Sequence, residues 1–181
     1  MGDTVPGRGR ASPEPIPEAF FRYLLDLEVE KAARLRYRVS VVCLVPDLPS
    51  GLYGQVPVRE LSEHIARIAL GHLRRTDSAT TFPDGSVGLL LIDADPRVLS
   101  RIVGRAGGVA LGGRARFAYR GETISVSGGG SCYPLTASTA SAVLLHASEL
   151  MRLAREAGGD RVLIGPVEAG TGDPSASARE G

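Results

Sequence analysis

The sequence predicts an α/β (α+β) domain, a single mixed β-sheet covered by helices. Three observations predict it. Stretches with helical apolar spacing alternate along the chain with short β-branched runs. Two pairs of these runs flank tight-turn sequences, Pro83-Asp84-Gly85-Ser86 and Arg120-Gly121-Glu122, as hairpins do. The run Val39–Val45 is almost wholly apolar, as a strand buried on both faces requires.

The elements follow in order. Phe20, Leu24, Leu27, Val29, Ala32 and Ala33 give an apolar face to a helix over residues 17–36. A strand follows at 39–45, and Pro and Gly mark 46–56 as a loop. Leu61, Ile65, Ile68, Ala69 and Leu73 form the inner face of a second helix over 58–74. Strands at 79–82 and 87–92 make the first hairpin. Asp95-Pro96 opens a third helix, with Pro at a position where its missing N–H costs little. A second hairpin covers 114–120 and 123–133, a fourth helix covers 139–156 and stops at Gly158-Gly159, and 161–165 is a short closing strand. Residues 1–15 and 165–181 are rich in Gly, Pro and small polar residues without periodicity, and read as disordered segments around a domain at 16–164.

Composition narrows the function. The chain has 181 residues, a formal net charge of +1 and 43% hydrophobic residues. That balance is ordinary for a globular protein and lacks the basic excess of a nucleic-acid or membrane binder. No apolar run reaches the length of a membrane span, and no secretory signal precedes the domain, so the expected location is the cytoplasm. Cys43 and Cys132 each lie in a strand-like run and read as buried free thiols. His64, His72 and His146 lie on predicted helices without a ligand cluster and read as structural or surface residues; no cofactor is expected.

Three phrases, in this order and spacing, carry a family resemblance. They are LRRTDSATTFPDGSVGLLLIDAD (73–95), ISVSGGGSCYP (124–134) and ASELMRLAREAGGDRV (147–162). Together they resemble the GGDEF-type diguanylate cyclases over residues 16–164. In the last phrase Ser148, Arg152 and Arg155 replace the family's Asp, Tyr and Lys. The resemblance implies a mainly antiparallel central sheet wrapped by helices, similar to nucleotidyl-cyclase and polymerase palm domains.

The family's reaction joins two GTP molecules by attack of a 3′-hydroxyl on an α-phosphate. It needs divalent metal, and metal needs carboxylate ligands. Aligned on the family phrase, the first-strand Asp falls at Val45, with Asp47 two positions later. Gly85 and Ser86 take the two acidic positions of the turn, and Pro83 replaces a Gly. The guanine-reading Asp position holds Arg59, and the family's entry phrase ahead of the first helix is missing. Asp47 and Asp84 are displaced too far for metal distances and read as solvated turn carboxylates. The expectation is a catalytically inactive, degenerate domain.

A ligand site is retained by the same resemblance. The family's product-binding inhibitory site uses Arg-x-x-Asp shortly before the turn. Here that is Arg74 and Asp77, with five residues between Asp77 and Pro83. Arg101 and Arg105, four residues apart on one helical face, match the arginines the family adds from the helix after the hairpin. An Arg fork can hold guanine O6 and N7, and a carboxylate can accept from the guanine N1–H and N2–H groups. Alone, an Arg and an Asp three apart form only a surface ion pair worth about 0.2–0.5 kcal/mol. The offset to the turn and the two later arginines favour the ligand.

The expected function is therefore a cyclic di-GMP receptor or effector, with Arg74, Asp77, Arg101 and Arg105 as its ligand-binding residues and ligand-linked homodimerisation or a protein partner as its output. The alternative is a nucleotide-independent protein–protein interaction or scaffold module. A third reading, an active cyclase or a GTP-binding regulator, requires carboxylates that the sequence lacks.

Overall fold

The computed structural model describes residues 14–48, 54–95 and 116–165. Along the chain these form α1 (Glu18–Leu35), β1 (Val39–Asp47), α2 (Val58–His72), β2 (Ser78–Thr81), β3 (Val87–Ile92), β4 (Arg116–Tyr119), β5 (Glu122–Tyr133), α3 (Ala140–Glu156) and β6 (Val162–Ile164). The expected third helix from residue 96 on and the segments 1–13 and 166–181 lie outside the described residues.

The strands form one sheet in the order β2-β3-β1-β5-β4. All of these neighbours are antiparallel, and β6 runs parallel to β5 at Gly128–Gly130. A mainly antiparallel sheet under helices is thus the observed architecture. Alternation along β1 separates two cores. Val42 and Leu44 face α2 with Leu61, Ile65, Leu89 and Phe117. Val41, Cys43 and Val45 face α1 and α3 with Phe21, Leu25, Val143 and Ala147. Each fully buried Leu or Val contributes about 1.5–3 kcal/mol, so the buried apolar residues on both faces of the sheet dominate the stability.

One reading of the sequence needs correction here. Pro46 and Asp47 belong to β1, not to the loop expected from residue 46. Pairing with β3 stops at Leu44, and beyond it β1 pairs only with β5. Along that unpaired edge Pro46 loses nothing by lacking an N–H. Gly128–Gly130 lie inside β5, within the strand expected at 123–133, paired with β1 on one edge and β6 on the other. Glycine is needed there because α3 crosses too closely for a side chain: a Cβ on Gly129 would stand 2.1 Å from Ala147 O and 2.3 Å from Met151 N.

Helix ends follow the local chemistry. Thr139 accepts from Ala142 N–H at 3.2 Å and starts α3. Arg36, left-handed at φ 58°, closes α1 by donating its N–H to Ala32 O at 2.8 Å. Upstream of α1, Ile16 N–H donates to Ala79 O at 2.8 Å, and Thr80 Oγ1 donates to Ile16 O at 2.8 Å. The chain entering α1 therefore shields the outer edge of β2.

Candidate functional site

The β2–β3 hairpin positions both regions of interest. Its tip is the turn Phe82–Ser86, and at its open end Arg74–Asp77 lead into β2.

At the tip, the turn is closed by Phe82 N–H to Ser86 O at 2.8 Å and Gly85 N–H to Phe82 O at 3.0 Å. Asp84 is exposed, as expected of a solvated turn carboxylate, and one of its oxygens is tied to the turn. Its Oδ1 accepts from Ser86 N–H at 2.9 Å and from Ser86 Oγ at 2.7 Å, an Asx-type turn. Gly85 takes φ +82°, and a Cβ there would stand 2.5 Å from Val58 Cγ1. The start of α2 is thus packed onto the turn, and Ser62 Oγ lies 2.6 Å from Gly85 O.

Asp47, read from sequence as a solvated carboxylate, has two internal partners. Ser127 Oγ donates to Oδ1 at 2.7 Å, and Asp160 N–H donates to Oδ2 at 2.9 Å. The carboxylate ties the tip of β1 to β5 and to the turn before β6. Both partners are distant in sequence, which is why the sequence hides them. Val45 is buried among α1 and α3 side chains.

Two open grooves flank the turn. One, of about 490 Å³, lies between the turn and Val58, Arg59 and Glu18. The other, of about 260 Å³, lies between the turn, Arg22 of α1, and Leu144 and Ser148 of α3. Arg22 pairs with Glu18 at 2.8 Å and sits 5.7 Å from the centre of the Phe82 ring. Ser148 Oγ is 3.5 Å from Cys43 Sγ. Burial pushes the Cys43 thiol up to about 11, so near neutral pH it is a protonated core residue and not a thiolate ligand. Cys132 is also buried and free. Sequence reasoning missed Arg22, whose place beside the turn depends on how α1 docks.

At the open end, Arg74 and Asp77 form a compact loop. Arg74 N–H donates to Asp77 Oδ2 at 3.0 Å, and Asp77 N–H donates to Arg74 O at 3.0 Å. Asp77 Oδ1 accepts from Ile92 N–H at 3.1 Å, across the hairpin. Asp77 thus secures the end of β3, and its partner in the motif is the Arg74 backbone, not the guanidinium. The Arg74 side chain is exposed, and among the described residues it has no hydrogen bond or ion pair. Arg75 is exposed. Arg101 and Arg105 lie outside the described residues. His64 Nε2 lies 2.8 Å from Ala118 O, and His146 Nδ1 lies 3.4 Å from Ser131 Oγ, both in structural roles.

Solved structures share this fold. The GGDEF domain of YfiN (TpbB) from Pseudomonas aeruginosa superposes with a TM-score of 0.70 at 21% identity, over 87% of this chain and 99% of that one. The active GGEEF domain of a Vibrio cholerae diguanylate cyclase gives 0.69 at 12% identity, over 86% and 99%. The GGDEF domain of DgcB from Caulobacter crescentus, in complex with c-di-GMP, gives 0.62 at 13% identity, over 91% and 98%. The fold is that of a GGDEF domain. No protein-family model and no curated protein matches the sequence.

A GGDEF domain that acts as a cyclase uses divalent metal, and the residues present can be tested against it. Val45, Gly85 and Ser86 offer no carboxylate, Asp47 is drawn to Ser127 Oγ and Asp160 N–H, and Asp84 folds back on its own turn. Among the described residues, no group of three or more His, Cys, Asp and Glu could hold a metal ion. The donor set at the tip does not fit a divalent cation. No helix among the described residues is long and apolar enough to cross a membrane.

Proposed function

We propose that this GGDEF-fold chain is a receptor for cyclic di-GMP that does not synthesise it. One observation carries the reading: the Arg74 guanidinium is exposed and unpaired among the described residues, on a loop that Asp77 fixes to the end of β3. A cation held on a rigid loop and lacking an internal partner is available to a planar acceptor such as the guanine O6/N7 edge. Asp77 has acceptor capacity left beyond its backbone bonds, since an ionised carboxylate offers about four lone-pair sites. Arg101 and Arg105, outside the described residues, are the groups that the family resemblance assigns to the second base or the phosphates. The DgcB domain, similar in fold, is seen with c-di-GMP bound. The inactive half of the proposal rests on the missing carboxylates at 45, 85 and 86, on Ser148 where the resemblance expects Asp, and on the contact between Val58 and Gly85.

One observation favours the second reading, a nucleotide-independent interaction module. Both Asp77 oxygens accept from backbone N–H groups, so the motif has a structural use without any ligand. Calorimetric titration of the protein with cyclic di-GMP separates the two. Micromolar binding that Arg74→Ala abolishes supports the receptor. Absence of heat with wild-type protein leaves the interaction module. A separate incubation with GTP and Mg²⁺ should yield no cyclic di-GMP; turnover would overturn the inactive half.

A further inference from the structure

Helix α1 carries two apolar stripes, and only one is used by the fold. Phe21, Leu25, Val29 and Ala32 are buried against the sheet and α3. Phe20, Tyr23 and Leu27 follow i, i+3, i+7 along a different face, and Leu24, between the two stripes, packs against the core. Phe20 is 48% exposed and Tyr23 is 60% exposed, and their rings stack with centroids 6.2 Å apart. A stacked aromatic pair held in water beside the half-buried Leu27 is an unpartnered surface.

The same face continues through Lys31 and Arg34, four and seven residues beyond Leu27. Its order is symmetric about Leu27. Phe20 precedes Leu27 by as many residues as Arg34 follows it, and Tyr23 and Lys31 are related in the same way. Reversing the helix direction therefore places aromatic rings where the cations were. A two-fold axis requires this of a surface that recognises itself, because residue i meets j and j meets i.

We infer that this face of α1 docks antiparallel on α1 of a second copy of the chain. Leu27 meets Leu27 on the axis. Phe20 and Tyr23 of each copy lie under Arg34 and Lys31 of the other, and cations over aromatic faces are attracted by the ring quadrupole. Lys31 already bonds Glu28 at 2.6 Å, which leaves two ammonium protons to face the ring. A parallel pairing would instead set Lys31 against Lys31 and Arg34 against Arg34. The interface is one helix face wide, so the dimer belongs to the weak, concentration-dependent class. The inference uses neither Arg74 nor cyclic di-GMP and stands apart from the receptor reading.

Sedimentation equilibrium on the full chain tests it. Wild type should dimerise reversibly with concentration. Leu27→Glu and Leu27→Lys alone should each weaken the dimer more than ~10-fold, since each sets like charges on the axis. Mixed, they should restore association as a one-to-one heterodimer, because only residue 27 facing residue 27 lets the two charges meet. Thermal melting checks that both variants fold. If either unfolds, Tyr23→Ala and Arg34→Glu, both at exposed positions, replace them and should each weaken the dimer. A wild type that stays monomeric overturns the inference, including one that binds anionic vesicles instead. So does a dimer indifferent to these substitutions, or a mixture of folded Leu27→Glu and Leu27→Lys chains that does not associate.

Discussion

The two ends of the β2–β3 hairpin carry similar residues and use them differently. At the tip, the carboxylates nearest the turn are tied into the fold. Asp84 closes its own turn, Asp47 joins β1 to β5 and to the turn before β6, and Gly85 packs on Val58. At the open end, Asp77 is engaged in the same manner, but Arg74 is not. A carboxylate with two backbone or hydroxyl donors is part of the scaffold. A guanidinium presented by that scaffold, with no partner among the described residues, is a binding group. Identity of residue type does not separate the two cases; hydrogen-bond partners do.

Substitutions can break or sharpen this contrast. The largest effect belongs to the tip: Asp47→Ala strips the acceptor from the fully buried Ser127 and from Asp160 N–H, and should cost about 2–3 kcal/mol in denaturant unfolding. Asp77→Ala frees the Ile92 and Arg74 N–H groups near the sheet edge and should cost about 1–2 kcal/mol, whether or not ligand binds. Asp84→Ala loses only turn bonds to Ser86 and should cost about 0.5–1 kcal/mol. Arg74→Ala, with no partner lost, should stay within about 0.5 kcal/mol of wild type. A ranking with Arg74 above Asp84 would show that the guanidinium is structural and would break the comparison. Added Mg²⁺ or Mn²⁺ should leave the melting temperature unmoved, as a tip without a carboxylate cage predicts.

Much of the fold was legible because periodicity and turn chemistry are local signals. The helix at 18–35, the strand at 87–92 and the helix at 140–156 all follow from spacing and from punctuation by Pro, Gly and Thr139. Long-range pairing was not legible. Pro46 reads as loop until β1 is seen to lose its β3 neighbour there, and Gly129 reads as a weak strand point until α3 is laid across it. The site divides along the same line. The position of Arg74 relative to the turn is a matter of counting. The engagement of Asp77 with Ile92, and of Asp47 with Ser127 and Asp160, depends on partners between 15 and 113 residues away.

The most direct test of the account is a thermal melt of wild type and Arg74→Ala, each with and without cyclic di-GMP. A ligand present at 100 times its dissociation constant stabilises by about 2.7 kcal/mol. At roughly 2–4 °C per kcal/mol for a chain of this size, that is a rise of about 5–10 °C. The account predicts that rise for wild type, and for Arg74→Ala the same melting temperature as ligand-free wild type with no rise. An equal rise in both proteins, or none in either, would contradict it.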